Sequence, residues 1–308
     1  MIRSLSKKYG YKQETVQRYT ELFKEDTEAF LQACEAEPKT YIRVNTLKIS
    51  QPHLEKRLQK RGVHVREVEG GLLVEESPFS ISSTPEYLLG YVYLQGIAEM
   101  QIAPLVEPED TVIDMCAAPG GKTTHLAQLM RNEGVILALD VNKEKIKALK
   151  ANVHRLGVTN TIIYSMSALD FSYKSKRILL DAPCTGSGII RKDPSRKYSR
   201  DITDIKFCSQ LQKDLLKKGI ENLEDNGILV YSTCSLEPEE NEMVVDWALQ
   251  NFPVELERID FSVNGVPAAE GFVESFDRKL QKDVGLSRRT FPHIHDCNGM
   301  FAAKLRAT

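Results

Sequence analysis

Two cysteines lie in separate polar motifs that each follow an apolar segment. Cys184 stands in the motif DAPCTG at residues 181–186, and Cys234 stands in the motif YSTCS at residues 231–235. A thiolate is a strong nucleophile near neutral pH, and the carboxylate of Asp181 lies three residues before the first cysteine. Each motif alone also fits a capped turn beside a buried cysteine. Together they indicate covalent catalysis on a bound substrate.

A glycine-containing loop upstream of both motifs indicates a nucleoside cofactor. It has the sequence DMCAAPGGKT at residues 114–123 and lies between a predicted strand and a predicted helix. Its end matches the phosphate-binding motif G-x-x-x-x-G-K-[ST], but Cys116 occupies the position of the first glycine. Asp140 ends the next predicted strand 20 residues after Gly120, where a carboxylate accepts both ribose hydroxyl groups. The alternative is an ordinary glycine turn followed by an acid at a strand end.

The composition is that of an ordinary globular protein. The 308 residues are 42% hydrophobic, which is enough for one large domain and a smaller one. There is no N-terminal apolar signal and no stretch of roughly 20 apolar residues, so we expect a cytoplasmic protein that contacts no membrane. We also expect a monomer. Six cysteines without C-x-x-C or close Cys/His spacing favour reduced thiols over disulfides or a metal site.

Basic residues form three clusters in a chain whose formal net charge is −2. This balance argues against binding nucleic acid through bulk positive charge, although a local cluster can still form a binding surface. Taken alone, each cluster is predicted to be a solvated surface. The first comprises Lys56, Arg57, Lys60, Arg61 and Arg66, the second Arg191, Lys192, Arg196, Lys197 and Arg200, and the third Arg288 and Arg289.

The pattern of apolar residues predicts a small α+β domain at residues 1–90 and an α/β domain at residues 91–308. The first part shows helical periodicity over 12–36 and 51–60 and strand patterns over 41–47, 63–68 and 72–74. In the second part strands alternate with helices, which is typical of a doubly wound, mostly parallel sheet. Its seven predicted strands are Thr111–Met115, Val135–Asp140, Asn160–Tyr164, Arg177–Asp181, Gly227–Ser232, Val254–Ile259 and Gly299–Leu305.

The motifs with chemical potential all fall at the carboxyl ends of predicted strands. They occupy residues 114–123, 140, 181–188 and 231–235. Ligands of doubly wound sheets bind outside the carboxyl ends of the strands. We therefore expect a single crevice to contain all four motifs.

The segments DMCAAPGGKT, DAPCTGSG and YSTCSLEPEENE together resemble the RNA (cytosine-5) methyltransferases of the Sun/Nop family. The resemblance extends from about residue 40 to the C-terminus and includes RVNTLK at 43–48 and YLQG at 93–96. It implies a Rossmann-like class I methyltransferase fold, S-adenosylmethionine as cofactor and RNA as partner. It also implies that residues 1–90 bind RNA. The compact archaeal enzymes that act on transfer RNA are the most similar subgroup.

The resemblance also implies roles for four side chains. Carbon 5 of cytosine is a poor nucleophile until a thiolate adds at carbon 6, and Cys234 matches the family's nucleophile. Cys184 matches the cysteine that assists release of the product. Asp181 would hold ring nitrogen 3 and the exocyclic amine of the base, and Lys122 would lie near the cofactor and the base. The same lysine can also lower the pKa of a neighbouring thiol.

Cofactor and RNA contacts follow from the same resemblance. Many family members contact the adenine amine with an aspartate, whereas this chain has Ser167 at that position and Asp170 three residues later. The predicted cofactor-binding residues are Cys116, Ala117, Ala118, Pro119, Gly120, Gly121, Lys122, Asp140, Ser167 and Asp181. The predicted RNA-binding residues, in the basic loop after Cys184, are Arg191, Lys192, Arg196 and Lys197.

Several functions stay open at this point. Within the resemblance, transfer RNA at the junction of the variable loop and the T stem, nucleotides 48 and 49, is the first choice of substrate, followed by ribosomal RNA. A methyltransferase of the same fold that acts on protein or a small molecule would have structural cysteines. A third class comprises Walker-type nucleotide hydrolases and RNA-binding proteins without catalysis.

Overall fold

The computed structural model describes all 308 residues. The α-helices are α1 Ile2–Tyr9, α2 Gln13–Phe23, α3 Thr27–Cys34, α4 Gln51–Gln59, α5 Pro85–Leu88, α6 Ile97–Met100, α7 Ile102–Leu105, α8 Gly121–Leu129, α9 Lys143–Leu156, α10 Arg196–Ser199, α11 Ile202–Asn222, α12 Glu242–Asn251 and α13 Pro292–His295. None of them combines the length and apolar character needed to cross a bilayer.

The strands form one small and one large sheet, together with two short hairpins. The strands are β1 Thr40–Val44, β2 His64–Val68, β3 Gly71–Glu76, β4 Val92–Leu94, β5 Thr111–Asp114, β6 Val135–Asp140, β7 Thr161–Ser165, β8 Ser175–Asp181, β9 Leu223–Thr233, β10 Val254–Glu257, β11 Ser262–Val263, β12 Val266–Pro267, β13 Ala269–Glu270, β14 Glu274–Ser275, β15 Arg278–Lys279, β16 Arg288–Thr290 and β17 Met300–Ala307.

The large sheet confirms the predicted α/β architecture. Its strand order is β13-β16-β17-β9-β8-β5-β6-β7, with β10 paired to β17. Strand β5 pairs in parallel with β6 and β8, and β6 pairs in parallel with β7. At the other edge, β16 pairs antiparallel with β13 and β17. All seven predicted strands are present, and β13 and β16 extend the sheet to nine strands.

Two compact units make up the chain, each assembled from separate segments, and the domain boundary at residue 90 stays a prediction. Unit 1 comprises Met1–Pro38, Ala182–Lys217 and Tyr231–Leu305, and unit 2 comprises Lys39–Asp181, Lys218–Val230 and Arg306–Thr308. The first helices belong to unit 1 because their aromatic side chains pack with residues far along the chain. Phe23 and Phe30 stack with ring centroids 4.3 Å apart, and Phe23 meets Phe291 edge to face at 5.6 Å.

Within unit 2, the small sheet positions the helix that follows the glycine-containing loop. The small sheet is antiparallel with strand order β2-β3-β1-β4. Arg43 of β1 is buried and donates hydrogen bonds to Gln95 Oε1 at 2.9 Å and to Thr124 Oγ1 at 2.9 Å. Burial lowers the pKa of this guanidinium to about 9. Because Thr124 lies in the first turn of α8, Arg43 fixes the helix start against the small sheet.

Candidate active site

In unit 2, the loop between β5 and α8 is closely tied to the end of β6. The backbone N–H of Ala118 donates to Asp140 Oδ2 at 3.0 Å, and the N–H of Asn142 donates to Asp140 Oδ1 at 2.8 Å. Gly120 has a φ of 102°, and a Cβ there would lie 2.7 Å from Leu149 Cδ1. The loop therefore requires glycine at this position and holds the Asp140 carboxylate in one orientation.

The second pair of charged residues in unit 2 joins α8 to the end of β8. Lys122 Nζ lies 2.6 Å from Asp181 Oδ2, and the two side chains are 13% and 32% exposed. The placement of Lys122 near the cofactor and the base stays a prediction, and in the structure its ammonium group pairs with this carboxylate. The pair holds the Asp181 side chain in a partly buried position. Asp181 is the residue at which this segment of unit 2 ends.

Carboxylates also surround Cys116 in the loop. Burial raises its pKa well above the usual value for a thiol, and the charges of Asp114, Asp181 and Asp140 raise it further. Burial likewise raises the pKa of Asp114 to about 7, although Asp114 Oδ2 accepts a hydrogen bond from Thr123 Oγ1 at 2.7 Å. Cys116 therefore stays a thiol, and the loop has an environment that favours a cationic ligand.

These unit 2 residues fit S-adenosylmethionine, which combines a ribose diol with a sulfonium cation. Asp140 presents a carboxylate at the end of β6 for the two ribose hydroxyls. The small residues from Ala117 to Gly121 let the backbone approach a ligand closely, and a Cβ on Gly121 would lie 3.3 Å from the Tyr93 ring. No cluster of three or more His, Cys, Asp or Glu side chains has the arrangement of metal ligands.

Ser167 lies two residues after β7 and caps the short 3-10 helix Ala168–Asp170. Its hydroxyl oxygen accepts the N–H of Leu169 at 3.2 Å, and Asp170 ends the same helix with an exposed side chain. The hydroxyl thus caps the helix, and its contact with adenine stays a prediction.

In unit 1, the structure places the two motif cysteines in direct contact. The Sγ atoms of Cys184 and Cys234 lie 3.2 Å apart. The hydrogen bond with Cys234, followed by burial, raises the pKa of Cys184 well above the usual value for a thiol. Cys184 therefore retains its proton and can donate it to the second sulfur in a hydrogen bond.

Glu240 is a buried carboxylate that sequence reasoning missed. It lies in the 3-10 helix Pro238–Glu240, is 0% exposed, and bonds the backbone N–H of Thr185 at 3.0 Å and its hydroxyl at 3.0 Å. Burial raises the pKa of Glu240 to about 7. A signal was available in the acidic PEENE segment that follows the Cys234 motif, but acids in a run are usually solvated.

The four predicted RNA-binding residues differ in their surroundings. Arg191 is 5% exposed, pairs with Asp296 at 2.8 Å and donates to the carbonyl of Ala33 at 2.7 Å. Lys197 is 13% exposed and pairs with Glu35. Arg196 pairs with Asp193 at 2.8 Å. These three side chains connect parts of unit 1, whereas Lys192 is exposed.

The third basic cluster is not the solvated surface that the sequence predicted. Arg289 is 1% exposed and forms a buried ion pair with Glu242 of α12. Arg288 is 3% exposed and pairs with Asp260 at 2.9 Å. Both arginines lie on β16 inside the large sheet, where Arg289 has a buried partner and Arg288 an exposed one, so the cluster serves the fold.

Comparisons with known proteins relate this chain to a family. Residues 101–306 match the family model described as "16S rRNA methyltransferase RsmB/F", and residues 12–96 match the model of the N-terminal domain of the 16S rRNA methyltransferase RsmF. A solved methyltransferase homolog protein from Pyrococcus horikoshii is 42% identical, with a TM-score of 0.89, and the match covers 100% of this chain and 99% of that one.

Two curated relatives are longer than this chain. The 28S rRNA (cytosine(4447)-C(5))-methyltransferase of Homo sapiens is 42% identical over 292 residues, which are 90% of this chain and 35% of the human protein. The ribosomal RNA small subunit methyltransferase F of Vibrio parahaemolyticus is 34% identical over 294 residues, 91% of this chain and 59% of the bacterial protein. The chain thus spans about a third to three fifths of their length. With both family models matched along its length, it belongs to the RsmB/F methyltransferase family.

Proposed function

We propose that this protein methylates carbon 5 of cytosine in RNA, with S-adenosylmethionine as the methyl donor and a covalent bond between Cys234 and the base. The observation that carries this proposal is the contact of two thiols, Cys184 and Cys234, at 3.2 Å in a chain of a methyltransferase family. A thiol pair is unnecessary for methyl transfer to oxygen or nitrogen. It suits a carbon atom that must first be activated and later freed.

Activation begins when the Cys234 sulfur adds to carbon 6 of cytosine and raises the electron density at carbon 5. The raised pKa of Cys184 keeps the proton on that sulfur, so the Cys184 thiol can donate a hydrogen bond to Cys234. The nucleophilic role of Cys234 rests on the family resemblance of the Thr-Cys motif.

Asp181 and Lys122 act on the ring that Cys234 attacks. Addition of a thiolate places negative charge on the pyrimidine, principally at ring nitrogen 3. Asp181 accepts a hydrogen bond from the exocyclic amine on that edge of the base, and the ammonium of Lys122, 2.6 Å from Asp181 Oδ2, stabilises the charge that develops. An ion pair that is partly buried is already oriented before the reaction, so little reorganisation is needed.

The cofactor site follows from the unit 2 residues that fit it. Asp140 binds the two ribose hydroxyls, the backbone of residues 116–122 holds the methionine end, and the Ser167 hydroxyl accepts a hydrogen bond from the adenine amine. When bound, S-adenosylmethionine supplies an electrophilic methyl group. The carboxylates of Asp114, Asp140 and Asp181 favour its positive charge.

Release requires loss of the carbon-5 proton and cleavage of the bond between carbon 6 and the Cys234 sulfur. Cys184 assists this step from its position against Cys234. The carbon-5 proton passes to solvent water, the electron pair of the broken carbon–hydrogen bond re-forms the ring double bond, and Cys234 leaves as a thiolate that accepts a hydrogen bond from the Cys184 thiol. The two sulfurs thus act at opposite ends of the reaction.

We propose transfer RNA at the junction of variable loop and T stem as substrate, on the resemblance to compact archaeal enzymes. A second candidate is ribosomal RNA, which the names of the human and Vibrio relatives favour. Either substrate must present its cytosine outside the base stack, as loops and junctions of RNA do.

A basic groove in unit 2 supports RNA binding by the N-terminal region, residues 1–90. The groove has a volume of about 710 Å³, and its lining holds five basic side chains and no acid. It is lined by Lys48, Ile49, Ser50, His53, Lys56, Arg57, Lys60 and Tyr91. A groove of this charge accepts backbone phosphates, and an aromatic ring at its side suits an unpaired base.

The test compares two cysteine variants on unmodified RNA with S-adenosylmethionine. Cys184→Ala is expected to form protein–RNA adducts that survive a denaturing gel, because attack proceeds and release does not. Cys234→Ala is expected to form none. Adducts in Cys234→Ala alone would reverse the assignment, and adducts in neither variant would refute covalent catalysis. Bisulfite sequencing of total RNA treated with the native enzyme then identifies the substrate and the nucleotide.

A further inference from the structure

Two adjacent residues of the PEENE segment, Glu240 and Asn241, bind the turns that carry both thiols. The Glu240 carboxylate accepts the backbone N–H and the hydroxyl of Thr185, each at 3.0 Å. Thr185 directly follows Cys184. The carboxylate therefore holds the Cys184 turn through its next residue.

Asn241 binds the other turn from both sides of its cysteine. The Thr233 hydroxyl donates to Asn241 Oδ1 at 2.5 Å, and Asn241 Nδ2 donates to the carbonyl of Ser235 at 2.9 Å. Thr233 and Ser235 are the neighbours of Cys234. All the groups involved are buried, so these bonds do not compete with water.

Further bonds connect the two turns. The Ser235 hydroxyl lies 3.4 Å from Thr185 Oγ1 and 3.3 Å from Ser187 Oγ. The backbone N–H of Gly188 donates to the carbonyl of Cys234 at 2.9 Å. Because Glu240 and Asn241 are consecutive, one short backbone segment fixes the position of each turn relative to the other.

We propose that Glu240 and Asn241 are positioning residues that set the two sulfurs against each other, Asn241 for attack by Cys234 and Glu240 for release assisted by Cys184. This inference rests on the proposed function and assigns two residues to separate steps of it. Displacement of a reacting group by about 1 Å can cost about 100-fold in rate. A thiol pair in contact is sensitive to shifts of that size.

The two residues are expected to give opposite phenotypes. Removing the Glu240 carboxylate frees Thr185, moves Cys184 and slows release, while attack by Cys234 continues and adducts accumulate. Removing the Asn241 amide frees the turn of Cys234 itself, so attack is lost and adducts do not form. A role confined to stability would lower attack and release together.

The experiment measures adduct yield on denaturing gels and turnover for Glu240→Ala, Asn241→Ala and the reference Cys184→Ala. We expect turnover of both new variants to fall by about 10- to 100-fold, with adducts in Glu240→Ala and none in Asn241→Ala. Glu240→Gln keeps an oxygen acceptor for the Thr185 N–H and is expected to restore turnover to within about threefold of the native enzyme. Glu239→Ala, next in the chain and partly exposed, is the control for loss of an acid from this segment.

Thr185→Val provides a second variant that keeps the side-chain volume and the backbone bond to Glu240. It is expected to accumulate adducts in the same direction as Glu240→Ala and to a smaller extent. Parallel loss of adducts and turnover in Glu240→Ala and in Thr185→Val would overturn the assignment. If Cys184→Ala itself forms no adduct, the proposed function fails, whereas adducts in Cys184→Ala alone refute only the positioning role of Glu240.

Discussion

The two compact units hold their functional side chains by different electrostatic means. In unit 2, Asp181 is paired with the ammonium group of Lys122 at 2.6 Å, and Asp140 accepts two backbone N–H groups. In unit 1, two thiols share a hydrogen bond, and the Glu240 carboxylate is bonded by neutral hydroxyl and N–H donors. Unit 2 thus presents fixed charges, and unit 1 presents groups whose protons can move.

This difference matches the chemistry proposed for each unit. A cationic cofactor and a base that becomes negative are stabilised by charges that are already in place. A nucleophile that must attack and leave again is served by a neutral hydrogen-bond donor against its sulfur, as Cys184 is, and by a nearby carboxyl group that titrates near neutral pH, as Glu240 does. Variants that remove a fixed charge or a titrating proton therefore test the comparison directly.

The largest effect is expected for Lys122→Met, which leaves Asp181 without its cation. Turnover should fall by about 100- to 1000-fold, the range found when one preorganised stabilising group is removed. Steady-state methylation of RNA is the measurement. Lys147→Met, an exposed lysine of α9, is the matched control and should leave turnover unchanged. A decrease in turnover of less than threefold for Lys122→Met would show that the ion pair does not contribute to the reaction.

A second variant, Asp114→Asn, tests whether burial raises the pKa of a carboxyl group in unit 2 into the neutral range. The pKa of Asp114 is raised to about 7, so the folded state binds a proton more tightly than the unfolded state. This contribution to stability is complete below the unfolded pKa near 4 and is lost as the pH rises through 7. Between these two pH values the free energy of unfolding of the native protein should fall by up to about 4 kcal/mol. The variant, which lacks the carboxyl group, should not show this decrease.

Urea unfolding of both proteins at pH 5 and pH 8 measures the part of this difference between those pH values, which is about 3 kcal/mol. From pH 5 to pH 8 the free energy of unfolding of Asp114→Asn should rise relative to that of the native protein. Equal pH dependence of the two proteins would show that the Asp114 carboxyl is not perturbed. Asp114 would then be a fixed charge like Asp140 and Asp181, and among the carboxylates compared only Glu240 of unit 1 would titrate near neutral pH.

The smallest effect is expected at the basic groove of unit 2. Lys56 and Lys60 are exposed, and the double variant Lys56→Glu/Lys60→Glu should weaken RNA binding about tenfold at low salt. The slope of log affinity against log salt should fall by about 1.5, because two phosphate contacts are lost. Cofactor affinity should not change. The double variant Lys279→Glu/Lys282→Glu has the same change of charge outside the groove and is the control. An equal loss of RNA affinity in this control would refute the role of the groove in RNA binding.

Much of the fold follows from local pattern, because buried parallel strands leave continuous apolar runs. All seven predicted strands of the large sheet are present, whereas β13 and β16, with two and three residues, are too short for any pattern. The single helix predicted over 12–36 is two helices, α2 and α3, because the polar segment Lys24–Asp26 forms a 3-10 turn between them.

Side chains whose role depends on distant contacts could not be predicted from the sequence. Arg191 belongs to a basic run that suggested RNA, yet its partners Ala33 and Asp296 lie more than a hundred residues away. Glu240 belongs to an acidic run, yet it is buried against Thr185. Composition and spacing describe neighbours along the chain, and both residues are defined by neighbours in space.

The most direct test of the account is to identify the atom that bonds the RNA. Adducts of Cys184→Ala with RNA can be digested with nuclease and protease, and the peptide that retains a nucleotide can be sequenced by mass spectrometry. We predict a single modified peptide, with the cytidine mass on Cys234 and an additional methyl group when S-adenosylmethionine is present. A nucleotide on any other residue would contradict the central role of Cys234.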